Sequence, residues 1–369
     1  NDAVHVIVGA GADETRVYVH PQTLAVLKRV DEDDRPMRVV SRLHGQLMMG
    51  DKGSHLVELA ASWAIVMILS GLFLWWPRGG GAAGMLYPRL RSGGRRFWRD
   101  LHGVTGFWVS FLALFLLVSG LPWAKSWGGY LKTVRAAVES APERQDWPAG
   151  RDAELRDRGA ADRGTRAMMG EHAEHRGMTM AHPAISYTPL DRLVATVRPL
   201  RLAAPVLIAP PTGPGQPWIA KSDAANRPLR TDLTLDGESG RVLTRKDFAQ
   251  RRLIDGIVGY CIAAHEGQLF GLANQLLGLL TAVGLVLLSV SSVVLWWRRK
   301  PGDVLGAPRA RPSTPLAVGF LALLVLLGML LPLLGASMLA VFATERLVLR
   351  RLPGASRWLG LRPVTVQLY

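Results

Sequence analysis

The sequence predicts an α-helical integral membrane protein with four spans and two small α+β modules outside the bilayer. Three observations predict it. First, mean hydropathy is +0.16 although 20% of the 369 residues are charged, so apolar and charged residues are segregated. Four windows lack Asp, Glu, Lys and Arg: Leu59–Pro77, Leu101–Ala124, Gly267–Trp297 and Pro312–Thr344. A hydrocarbon core about 30 Å thick needs about 20 apolar residues at 1.5 Å rise each, and all four windows reach or approach that length. Second, +13 of the net charge of +15 sits in short segments beside these windows: 77–105, 298–314 and 344–369. Third, the second half of the chain repeats the first.

The charge alone, with a pI near 10.8, invites a nucleic-acid reading. Its distribution argues instead for the positive-inside bias of membrane proteins, which places the loops 77–105 and 298–314 in the cytoplasm. The N-terminal 50 residues and the long segment 125–266 then lie outside. One cysteine, Cys261, allows no internal disulfide.

The repeat orders the elements. Residues 1–37 form a first module, in which Val17–Val19, the turn at His20-Pro21, and Val26-Leu27 read as a hairpin. Residues 38–77 hold the motif Leu43-His44-Gly45-Gln46-Leu47 and a span ending Leu74-Trp75-Trp76. A cytoplasmic loop, 78–100, and an outward span, 101–124, follow. Residues 125–255 form the second module, with a helix near Asp191–Pro199, strands at Val206–Ala209 and Trp218–Lys221, and a hairpin at Leu233–Leu243. Residues 256–297 repeat the motif as His265-Glu266-Gly267-Gln268-Leu269 and end in Leu295-Trp296-Trp297. His to Trp is 31 residues in both copies, at one offset of 221. A second cytoplasmic loop, 298–314, leads to a span at 315–343 kinked by Pro332, and a basic tail at 344–369 that this count leaves outside, against the positive-inside bias; the alternatives are a hairpin or a tail lying on the membrane surface, and the single kinked span is favoured. The repeat also places a further span ahead of the first module, before Asn1. Residues 141–183, rich in charge, Gly and Ala, read as a flexible insertion.

Ionisable residues at spans are functional candidates. His44 and His265 occupy equivalent positions at the outer side, where a pseudo-twofold axis would bring them face to face. Two facing imidazoles can take both axial positions of one haem iron. His102, at the cytoplasmic start of the second span, would find its partner in the further helix. Haem b, in two copies, would then link the two faces. No Cys-x-x-Cys-His occurs, which excludes covalent c-type attachment. Propionates call for cations; Arg38, Arg42, Arg251 and Arg252 neighbour the outer motifs, and Arg96 and Arg99 neighbour His102. Trp63, Trp108 and Trp123 could pack on porphyrin or serve as belt residues. His55 has no counterpart in the repeat and reads as interfacial. Cys261 reads as a small packing residue. The insertion holds Met168-Met169, His172, His175, Met178, Met180 and His182, ligands suited to copper or simply a solvated loop.

Taken together, the hairpin modules, residues 43–50, Leu74-Trp75-Trp76-Pro77-Arg78, Leu101-His102-Gly103, His265–Gly271 and Leu331–Gly335 resemble the PepSY-associated transmembrane family. The resemblance covers nearly the whole chain except 141–183 and the tail. It implies periplasmic PepSY-like modules and the bacterial inner membrane. It implies haem at His44, His102 and His265, and the activity of ferrisiderophore reductases of the ferrioxamine-reductase kind.

The expected function is therefore a haem b reductase passing electrons to a periplasmic ferric siderophore from an unidentified cytoplasmic or membrane donor, with the lipid bilayer as setting and no nucleic acid. No Gly-x-Gly-x-x-Gly fingerprint stands in a strand–helix context, so flavin or nicotinamide binds elsewhere. Two alternatives are a non-catalytic PepSY protein that binds a periplasmic partner, and a copper-handling protein using the Met/His loop.

Overall fold

The hairpin turns and apolar windows become two sheets and a set of long helices. The computed structural model describes residues 3–9, 11–75, 84, 86–89, 91, 93–138, 147–158, 186–211, 215–300, 302, 304–305 and 318–361. The chain divides into unit 1, Asn1–Ser54 with Lys132–Gln275, and unit 2, His55–Leu131 with Leu276–Tyr369.

Unit 1 holds both sheets. Strands β1 (Val4–Val8), β2 (Thr15–Val19) and β3 (Val26–Asp31) form an antiparallel sheet in sequence order, followed by helix α1 (Pro36–Gln46). Strands β4 (Val206–Ala209), β5 (Trp218–Ser222), β6 (Thr231–Leu235) and β7 (Val242–Asp247) form the second. The internal repeat is visible in detail. Both hairpins shift register at the same place, between Tyr18 and Val19 and between Thr234 and Leu235. Both are closed by a threonine donating to an aspartate, Thr15 to Asp31 at 3.0 Å and Thr231 to Asp247 at 2.8 Å.

Helix α6 (Leu190–Val197) covers the second sheet, burying Leu193 and Val197 against Trp218, Ala220, Leu233 and Leu235. Burial of such side chains contributes about 1.5–3 kcal/mol each. The matching β1 positions, Val4, Val6 and Val8, are 53%, 48% and 52% exposed. Helix α7 (Leu253–His265) follows β7 as α1 follows β3.

Part of the segment expected to be flexible is folded. Trp147 is 1% exposed, and residues 151–158 form helix α5. The Asp51 carboxylate accepts from the Arg151 backbone N–H at 2.6 Å and so caps α5. Arg151, Glu154 and Arg158, on one helical face, engage Asp33, Arg38 and Glu14. Charge content suggested a solvated loop; the charges are instead paired.

Unit 2 contains the membrane-length helices. Helices α2 (Gly50–Trp75), α3 (Gly94–Gly120) and α8 (Gly271–Arg299) match three expected spans, and Pro332–Arg351 is the fourth apolar stretch of that length. Within unit 2, α3 runs antiparallel to α8. A Cβ on Gly284 would lie 2.3 Å from Val109, and one on Gly106 would lie 3.4 Å from Leu288. Helix α4 (Lys125–Val138) follows α3 after a 3-10 turn at Leu121–Trp123.

The last apolar segment takes the hairpin form rather than the favoured single kinked span. It is two helices, α9 (Val318–Leu330) and α10 (Pro332–Leu347). Seven residues of straight helix span about 10.5 Å, yet a Cβ on Gly335 would lie 3.4 Å from Gly328 Cα. The chain therefore folds back at Leu331. Pro332 has no N–H to continue the ladder, and the Trp127 indole donates to the Leu330 carbonyl at 3.1 Å. Helix α11 (Pro353–Leu359) ends the described chain.

Candidate haem-ligand site

Both copies of the His motif end a helix on a left-handed turn. In α1, His44 lies in the last turn, and Leu47 (φ 49°) closes it with its N–H on the Leu43 carbonyl at 3.1 Å. In α7, His265 is the last residue, and Gly267 (φ 72°) donates to Ala264 at 3.2 Å. Each next helix starts on a left-handed glycine, Gly50 or Gly271. At Gly53 a Cβ would lie 1.7 Å from the Gln46 carbonyl, so glycine is required for α2 to leave α1 this closely. Its counterpart Asn274 instead donates to the Ala264 carbonyl at 2.9 Å.

These turns bring His44 and His265 together. Their ring centroids are 6.4 Å apart, with planes inclined by 59°. The separation can be tested against an axial pair. A metal–imidazole nitrogen bond is about 2.0 Å, and a ring centre lies about 1.1–1.2 Å beyond its nitrogen. Two imidazoles on one iron then have centroids about 6.3 Å apart. The observed spacing fits. On α1, Val40 lies one turn before His44, and Leu47 and Met48 follow the helix on left-handed backbone; all three are exposed and apolar. Among the described residues no group of three or more His, Cys, Asp or Glu converges on one point.

The arginines flanking these histidines are already engaged. Arg42 lies 3.7 Å from Asp33, and Arg38 pairs with Glu32 and Glu154. Arg251 approaches Asp232 at 3.5 Å and stacks over Phe248 at 5.2 Å. In unit 2, Arg99 donates to Asp100 at 3.1 Å, and Arg89 clamps the same carboxylate through bonds of 2.6 and 2.9 Å.

His102, on α3, has its Nδ1 2.9 Å from Ser291 Oγ on α8. The Ser291 hydroxyl donates its proton to the Leu288 carbonyl at 3.1 Å. With its proton on that carbonyl, the hydroxyl has a lone pair free for His102 Nδ1–H, an arrangement that leaves Nε2 as the ring atom for a metal. A ring held in this way is what a metal-binding imidazole needs. Beside it, a Cβ on Gly103 would lie 2.2 Å from the Trp75 ring, so Gly103 gives the indole its place.

Trp63 donates to Ser337 Oγ at 3.1 Å and Trp108 to the Leu86 carbonyl at 3.0 Å, giving both indoles protein partners. His55 is exposed and bonds Ser126 Oγ at 2.9 Å. His172, His175, Met178, Met180 and His182 lie outside the described residues.

Three features were missed from sequence. Arg135 and Asp255 form a buried bidentate pair at 2.8 and 3.1 Å. The Glu58 carboxylate, 2% exposed inside α2, accepts from the Ser126 backbone N–H at 2.9 Å at the start of α4. Ser291 holds His102. Of these, only Glu58, a lone acid beside an uncharged window, left a sequence signal.

No curated protein matches the chain. A family model described as the PepSY-associated TM region matches residues 2–299. Two sheet modules, the two His-ending helices and three long apolar helices all fall within that match, and the chain belongs to the PepSY-associated TM region family.

Proposed function

We propose that the protein is a haem b reductase of the bacterial inner membrane that passes single electrons outward to a periplasmic ferric siderophore. The observation that carries this reading is the 6.4 Å separation of the His44 and His265 rings. It supports His44 and His265 as the two residues that would hold one haem. His102, its Nδ1 engaged by Ser291, is the proposed ligand of a second. Haem, when bound, supplies one-electron carriage between ferric and ferrous iron.

The chain's own residues do the rest. The turns at Leu47 and Gly267 fix where the two outer imidazoles stand. One electron delivered to a ferric chelate converts Fe(III) to Fe(II), which hard oxygen ligands hold less tightly, and the metal is released. No acid–base catalyst is needed for that step. The electron enters from a cytoplasmic or membrane donor.

The test is the optical spectrum of the purified protein before and after dithionite. Sharp α and Soret bands are expected, reduced by one haem equivalent in His44→Ala and in His265→Ala, with the remainder depending on His102. A reduced protein without these bands sinks the reading. Full bands in both outer variants sink the ligand assignment.

A further inference from the structure

The chain beyond residue 299 lies outside the family match, and its course decides where the basic tail ends. Within unit 2, the Trp296 indole donates to the Leu305 carbonyl at 2.8 Å, and the Leu305 N–H donates to the Trp358 carbonyl at 2.9 Å. Those two bonds fasten α11 to the C-terminal end of α8. The path between agrees. Phe320, at the start of α9, stacks on Phe73 near the C-terminal end of α2 at 5.8 Å. Leu330, at the far end of α9, meets Trp127 at the start of α4. After the reversal at Leu331, the 20 residues Pro332–Arg351 reach about 30 Å, enough to return. Helices α2 and α8 finish at this same end, since Trp75 packs on Gly103 and His102 bonds Ser291.

The tail is thus on the side of the two basic loops, not the opposite side. The C-terminal ends of α2 and α8, the start of α3 and helix α11 share one end of unit 2, so the net charges of +5, +4 and +4 that the sequence carries in 77–105, 298–314 and 344–369 no longer argue for opposite sides.

We propose that the C-terminal segment 346–361 is a cytoplasmic anchor lying on the membrane surface, with anionic phospholipid headgroups as its partner. Exposed Arg346, Arg351 and Arg357 alternate with exposed Leu347, Val348, Leu352 and Trp358. Guanidinium groups pair with phosphates, while aliphatic side chains and a tryptophan settle at the headgroup–acyl boundary. Arg350 is turned inward to Glu345 at 2.6 Å and is left out of this set. Lys300 sits over the Trp296 and Trp297 rings at 5.3 and 5.1 Å, which puts a further cation among aromatic residues at the same end.

Two measurements on the full chain test the proposal. Fusions after Tyr369 to a fluorescent protein that matures in the cytoplasm and to alkaline phosphatase, active in the periplasm, report the side. Fluorescence without phosphatase activity is expected; the reverse overturns the sidedness. The second measurement uses nanodiscs of mixed phosphatidylglycerol and phosphatidylcholine, with retained phosphatidylglycerol read by native mass spectrometry. Each arginine removed in the series R346Q, R351Q, R357Q is expected to weaken retention about five-fold, the equivalent of about 1 kcal/mol. Retention equal to wild type in the triple variant overturns the lipid assignment. Thermal melting of each variant separates loss of lipid from loss of fold. Raising salt on the unmodified protein must also lower retention, because the Debye length shrinks to about 3 Å at 1 M; salt-insensitive retention counts against the proposal.

Discussion

The Arg135–Asp255 pair gives the sharpest energetic prediction. Arg135 comes from the last turn of α4 and Asp255 from the first turn of α7. Both side chains are nearly sealed from solvent, at 4% and 7% exposure, and both carboxylate oxygens are bonded. The pair anchors the start of α7, ten residues and about 15 Å before His265. Arg135→Met leaves a buried carboxylate without its charge partner, which costs about 3–5 kcal/mol, a factor of roughly 10²–10⁴ in the unfolding constant. Replacing both partners, R135M with D255L, removes the stranded charge and is expected to fall within about 1–2 kcal/mol of the unmodified protein. The assay is denaturant unfolding in detergent micelles for the four proteins of the double-mutant cycle. An R135M cost under about 1 kcal/mol, the range of exposed pairs, refutes the reasoning. So does a double variant that costs as much as the two single changes added.

Three further outcomes are expected. Burial pushes the Asp33 carboxyl up, but hydrogen bonds from Arg151 and Arg158 outweigh it and leave it below the ordinary carboxylate range. A depressed folded value means its stabilisation is present above the unfolded value, near about 3.9, and is lost as pH falls through the folded one. Hydrogen exchange in α5, corrected for intrinsic rate, should stay slow from pH 5 to 7 and quicken below about pH 4. Gly103→Leu drives a side chain into the Trp75 ring, whose nearest atom would lie 2.2 Å from the new Cβ. An overpacking cost of about 1–3 kcal/mol is expected, read as a lower melting temperature. Ser291→Ala removes the hydroxyl that holds His102 and should shift the midpoint potential assigned to the His102 haem while leaving the other unchanged. Two unaltered potentials would count against His102 as a ligand.

The spans were legible because uncharged windows of about 20 residues have few alternative explanations. The hairpins were legible through alternation and turn residues, and the His motifs through their offset of 221. Pair geometry was not legible. Nothing in the spacing of Arg135 and Asp255, 120 positions apart, indicates that they meet. Helix α5 was hidden for a related reason. Its charges looked solvated, because sequence does not show that Asp33, Arg38 and Glu14 stand opposite them. At Leu331 the sequence left a kinked span and a hairpin both open, with the kink favoured, because proline marks where a ladder breaks but not the angle that follows. The close Gly328–Gly335 approach sets that angle, and two glycines seven apart are common in apolar helices.

The repeat explains why the outer histidines pair, and its imperfections explain why the two are not interchangeable. Strands and their closing Thr–Asp bonds recur at an offset of 216, while His44 and His265 recur at 221. Five extra residues therefore lie between β7 and His265, and α7 is 13 residues long where α1 has 11. The longer helix carries Gly259, where a Cβ would lie 2.6 Å from the Phe248 ring, so α7 is seated against its own module. Helix α1 is held differently, through Arg38 and Arg42 to the acids that also grip α5. His44 is exposed and His265 partly buried as a result. Both supports include ion pairs: Arg135 and Asp255 hold the start of α7, while Arg38 and Arg42 hold α1. The Arg135–Asp255 pair is nearly sealed from solvent, at 4% and 7% exposure, whereas Arg38 and Arg42 are 31% and 25% exposed, so salt screens the support of His44 more than that of His265.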